Sequence, residues 1–112
     1  MAKIFAFIPL ELRPGITEQE FIKFYYEQYA PFGARLGWKG SVLKADRGER
    51  AGKLAAIWEI PTVEQRDRFQ PALDQLTEEA KRLLGPEFDE IDKKLYTYVT
   101  GWPTTHYIEQ VK

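Results

Sequence analysis

Apolar residues stand in short runs or alternation at four places along this chain, and at helical spacing over two longer stretches. Residues 3–9 form a brief run of β-branched and aromatic side chains, which predicts a buried strand. Arg13-Pro14-Gly15 signals a turn. Thr17 and Glu20 then make a capping box that opens a helix. Phe21, Phe24, Tyr25, Tyr29, Phe32 and Leu36 continue it at helical spacing, Gly33 weakens its end, and Gly37 stops it. Trp38 to Ala45 reads as a second strand and Lys53 to Ile60 as a third. The polar loop between them carries two glycines, so the pair predicts a hairpin.

Pro61 breaks the third strand, and Thr62 with Gln65 makes a second capping box. A helical pattern follows through Phe69, Leu73, Leu76, Ala80 and Leu83, with Pro71 inside it to kink or split it. Gly85-Pro86 ends that pattern, Phe88 and Ile91 anchor a short extra turn, and Lys94 to Thr100 reads as the fourth strand. The tail from Gly101 to Ile108 is aromatic enough to pack on a neighbour. The order strand, helix, strand, strand, helix, strand predicts an α+β, ferredoxin-like βαββαβ protomer, an antiparallel sheet with helices on one face. Leu54, Ala56, Trp58 and Ile60 alternate with Ala55 and Ile57, so the sheet is apolar on both faces. A second cover is then needed, and a homodimer is its simplest source.

A length of 112 residues predicts one domain, 1–112. The 16 basic and 17 acidic residues are interleaved, without the dense basic face that nucleic acid requires. There is no cysteine, which removes disulfides, thiolate metal sites and cysteine nucleophiles. One histidine cannot supply a zinc site, and no glycine-rich phosphate loop joins a strand to a helix. Ser41, the only serine, has no nucleophile-elbow pattern around it. The apolar start is too short for a membrane span and lacks a cleavage site. The expectation is a cytoplasmic protein with no metal, no cofactor and no membrane or nucleic-acid partner.

Aromatics make up 14% of the chain, and the first helix concentrates them. Tyr25 and Tyr29 share a helical face, while Tyr26 points about 100° away from Tyr25. These rings either pack the core with hydroxyls at its edge, or wall a pocket that positions a phenol, ketone or carboxylate. Trp58 and Glu59 face opposite sides of their strand. Trp58 reads as core or pocket lining, and Glu59 needs a partner, with Lys44 and Arg35 as candidates. Tyr96 and Tyr98 share a strand face that lines either the pocket or the dimer seam. His106 is the only side chain whose ordinary pKa suits proton shuttling near pH 7. It reads as a surface or dimer-contact residue, or as a base or haem ligand.

The pattern Phe21-x-x-Phe24-Tyr25-x-x-x-Tyr29-x-Pro31, followed by a glycine-bearing turn into a strand, resembles the first helix of EthD-like proteins. These belong to the dimeric α/β-barrel superfamily, with the NIPSNAP and antibiotic-biosynthesis monooxygenase groups. The resemblance implies two sheets closing into a barrel at a dimer interface and a pocket between sheet and helices in each protomer. Tyr29 stands where the EthD-like pattern usually has histidine. Its ordinary pKa near 10 makes it a donor rather than a base. The expected function is binding of a small apolar or aromatic compound, with Tyr25, Tyr26, Trp58 and Tyr98 lining the pocket and Tyr29 and His106 as catalytic candidates. Any chemistry is expected to be cofactor-independent: oxidation, cyclisation, isomerisation or decarboxylation. The alternatives are a non-enzymatic sensing or assembly module and, last, a haem-binding protein.

Overall fold

A computed structural model describes residues 2–110 of the chain. Four strands, β1 (Ile4–Pro9), β2 (Lys39–Lys44), β3 (Leu54–Ile60) and β4 (Thr105–Ile108), form one sheet in the order β2-β3-β1-β4. All three pairings are antiparallel. The helices cover one face, so the fold is the expected ferredoxin-like α+β arrangement. Its shortest dimension is only 20 Å, the thickness of one sheet and one helical layer. Among the described residues no helix is long and apolar enough to cross a membrane.

The first helical stretch is continuous but not uniform. Helix α1 (Glu18–Phe24) starts at Thr17, whose hydroxyl accepts from the Glu20 N–H while Glu20 reaches back to the Thr17 N–H. A π-helical turn, Tyr25–Tyr29, follows, in which the Ala30 N–H donates to the Tyr25 carbonyl. Helix α2 (Ala30–Arg35) completes the stretch, with Pro31 in its first turn. Proline has no N–H to donate and its ring clashes with the carbonyl four residues back, so a widened turn just before Pro31 relieves both problems. The stretch ends at Gly37, whose φ of +81° only glycine adopts without strain.

Thr62 caps α3 (Val63–Phe69) by accepting from the Gln65 N–H, but the Gln65 side chain donates to the Leu36 carbonyl instead of closing the box. Pro71 splits the second helical region. Helix α4 (Glu78–Leu84) resumes after a short loop, capped by Thr77.

The end of the chain departs from the sequence reading. Residues 94–100 are not a strand: α5 runs over Phe88–Tyr98, where only a short turn was expected. Phe88, Ile91 and Leu95 fall on one helical stripe, Leu95 and the extended Val99 that follows the helix are completely buried, and Tyr96 is left exposed. The fourth strand is Thr105–Ile108, in the segment read as a tail, and it pairs with β1 of its own chain. Glu59 is met by Lys3 at 3.4 Å, with Lys39 across the ladder, rather than by Lys44 or Arg35. Lys44 pairs with Glu18 at 3.1 Å, and Arg35 donates to the Leu84 carbonyl.

The main core lies between sheet and helices, around Ile4, Ile8, Phe21, Phe24, Tyr25 and Ile60. The opposite sheet face carries Phe5 and Phe7, Ala55 and Ile57, Leu43 and Tyr107, with Leu43 54% and Tyr107 57% exposed.

Candidate functional site

One register row crosses the sheet on its helix-facing side: Gly40, Trp58, Ala6, His106. Large side chains alternate with the smallest ones, and the alternation shapes what lies above. A Cβ at Gly40 would come within 2.7 Å of the Trp58 ring and one at Gly33 within 2.2 Å, so the indole is wedged between β2 and α2 by two glycines. The Ala6 methyl, between Trp58 and His106, leaves space. That space is a cavity of about 210 Å³ between sheet and helices.

The π-helical turn and α2 supply Tyr29 and Gly33 to one wall, and α5 supplies Phe88 and Asp92, one helical turn apart. Trp38 and Trp102 also border the space, so all three tryptophans of the chain line one cavity. Gln70, Thr104 and His106 belong both to this cavity and to an outer cleft that includes Arg66 and Leu73, and so stand between the two.

The polar groups have distinct states. The Tyr29 hydroxyl donates to Asp92 Oδ1 at 3.1 Å. Burial, and then the charge of Asp92 and this bond, hold the phenol well above its ordinary pKa. The Asp92 carboxyl also sits above its ordinary value, because desolvation outweighs the hydrogen bond from Tyr29, and Asp89 adds repulsion. His106 is lowered by burial and then by Arg66, whose guanidinium lies 3.3 Å from Nδ1. A guanidinium only donates, so Nδ1 is the acceptor and the neutral ring carries its proton on Nε2. The Trp38 indole N–H is buried without a protein partner. Tyr29 is therefore a donor, His106 offers an N–H while its Nδ1 is engaged by Arg66, and Asp92 brings a carboxylate to the cavity wall.

Of the residues singled out in the sequence, the structure brings Tyr29, Trp58 and His106 to this cavity. Tyr25 lies beneath it, fully buried, with rings of Tyr29 and Trp58 at 5.7 and 5.8 Å and an unpartnered hydroxyl. Tyr26 is on the outside, 46% exposed, its hydroxyl accepting from the Val42 N–H at 2.8 Å. Tyr98 stacks on Phe24 at 4.5 Å, away from the cavity, because its segment is helical.

The fold recurs in solved structures. The chain superposes with a TM-score of 0.61 and 16% identity on an uncharacterised NIPSNAP-like domain protein from Burkholderia xenovorans, covering 98% of this chain and 85% of that one. A NIPSNAP family protein from Agrobacterium tumefaciens gives 0.59 and 14%, covering 98% and 93%. The chain has the fold of NIPSNAP-like domains. No family model matches it, and no curated protein matches it by sequence.

Asp92 was not singled out in the sequence. Its signal was an acid at the fourth position after Phe88 on the stripe that Ile91 and Leu95 continue, visible only once the segment is read as a helix. Gly33 and Gly40 gave no signal beyond a weak helix end, because their role is set by Trp58. Among the described residues no group of three or more histidine, aspartate or glutamate side chains is placed to hold a metal ion.

Proposed function

We propose that this protein is a small-molecule binder of EthD- and NIPSNAP-like type, whose ligand is about the size of one substituted ring. The observation that carries the reading is the cavity itself: apolar and aromatic walls on which Tyr29, Asp92 and His106 converge. A cavity of roughly 150 Å³ accommodates benzene, and drug-sized sites begin near 300 Å³, so about 210 Å³ suits one ring with a short substituent. The same scale counts against haem. For any chemistry at this site, Asp92 is the proton acceptor, Tyr29 orients it, and His106 donates a hydrogen bond to substrate oxygen. Proton transfer of the isomerisation or decarboxylation kind suits such groups better than oxidation does.

The bare sheet face, with Phe5, Phe7, Ile57 and Tyr107, supports a homodimer in which two sheets pack face to face. The alternative of a purely structural module is disfavoured by the cavity, since a module that only assembles has no need of desolvated polar groups inside it.

Tryptophan fluorescence tests the binding reading directly, because every indole in the chain borders the cavity. Titration with single-ring compounds is expected to shift or quench the emission saturably. A flat response across a varied set of such compounds would remove the binding reading.

A further inference from the structure

The cavity contains a carboxylate without a cation. Asp92 lines the cavity beside aromatic and aliphatic side chains, the other polar lining residues, Gln70, Thr104 and His106, carry no negative charge, and its hydrogen bond comes from the neutral Tyr29 hydroxyl. Among the described residues no lysine or arginine pairs with it. The charged side chain that weighs on it is Asp89, which repels. Arg66 lines the outer cleft rather than the cavity and is engaged by Asp67 at 3.1 Å and by His106 at 3.3 Å.

A ligand that fills the cavity strips water from Asp92. A neutral apolar ligand leaves the carboxylate desolvated and unpaired, which costs free energy. An anion adds repulsion to that cost. A cation replaces the lost water with a charge-assisted hydrogen bond. The walls favour the same sign. Trp102, Phe88 and Trp58 stand around Tyr29 with ring centroids 5.6, 6.1 and 6.2 Å from its own, and aromatic faces attract ammonium groups.

We infer that the ligand is a small organic ammonium ion with one ring, its positive nitrogen held by Asp92 among the Tyr29, Trp58, Phe88 and Trp102 rings. The inference rests on the small-molecule reading above and adds the charge of the ligand to it.

Three probes of equal size separate the possibilities: benzylammonium, benzyl alcohol and benzoate, titrated at pH 7.5 by calorimetry and tryptophan fluorescence. Benzylammonium is expected to bind at least about tenfold more tightly than benzyl alcohol, and benzoate most weakly, in line with the worth of close charge pairs. In Asp92→Asn the preference for the ammonium over the alcohol should collapse. Equal or tighter binding of the alcohol or of benzoate to the unmodified protein overturns the inference while leaving the small-molecule reading standing. An undiminished ammonium preference in Asp92→Asn overturns the assignment to Asp92. Silence with all three probes takes the small-molecule reading down as well.

Discussion

Asp92 is the residue whose placement is hardest to explain by stability. Its carboxyl is held above the ordinary value of 3.8, first by desolvation. Between that value and the folded one, the native state binds a proton more readily than the unfolded chain. Stability therefore falls as pH rises through that window, and the ionised group works against folding at neutral pH. Asp92→Asn is expected to raise the urea midpoint at pH 7 and to leave it near the parent value at pH 3, where the acid is protonated in both states. A lower midpoint at pH 7 would show instead that the bond from Tyr29 outweighs the desolvation. A carboxylate kept at a cost to stability fits a binding role, since sites are where proteins trade stability for function. Tyr29 keeps its proton and donates, since its pKa is raised further by burial.

At the scale of elements, two glycines decide how α2 meets the sheet. Gly33 on the helix and Gly40 on β2 take the Trp58 ring between them. In Gly33→Ala the new methyl would stand 2.2 Å from that ring, so either helix or indole must move. The expected loss is about 1–3 kcal/mol, the usual range for overpacking, read by chemical denaturation. A loss near zero would show that the indole swings into the cavity, and ligand affinity would then fall. Several elements were legible from local signals. The Thr17 capping box, the Pro71 break and the hairpin of β2 and β3 all depend on residues close in sequence. The C-terminal part was not. Leu95 and Val99 fit helical spacing as well as an alternation with Tyr96 and Tyr98, and a short apolar run does not separate the two. Phe88 and Ile91 extend the stripe and decide for the helix. Thr105–Ile108 then supplies the missing edge strand, a segment whose four residues carry almost no pattern of their own. The π-helical turn had a visible cause in Pro31, but its effect emerges only with the helix in place.

The whole molecule presents two unlike faces of one sheet, the cavity on one and bare apolar side chains on the other. The proposed dimer uses the second. Ile57→Lys places a charge there while leaving the helix-facing row intact. The parent is expected to run as a dimer in light scattering after size exclusion, and the variant as a monomer with its tryptophan emission and ligand binding preserved. A monomeric parent protein would remove the proposed barrel. Loss of ligand binding together with the dimer would mean that the partner completes the site.

The sequence by itself determined the α+β class, the order of strands and helices up to α4, and the concentration of rings on the first helix. Capping, turn chemistry and side-chain periodicity act over a few residues, and each of these features is written over that range. Only the tertiary structure decided which rings border a cavity and which are core. Tyr25, Tyr26 and Tyr29 look alike in sequence yet end up buried, outside and at the cavity wall. It also brought Tyr29 to Asp92 across 63 residues and set Gly40, Trp58, Ala6 and His106 in one row from four separate strands. Pairing register and helix rotation set those meetings, and both are settled by burial of the whole core rather than by any local stretch of chain.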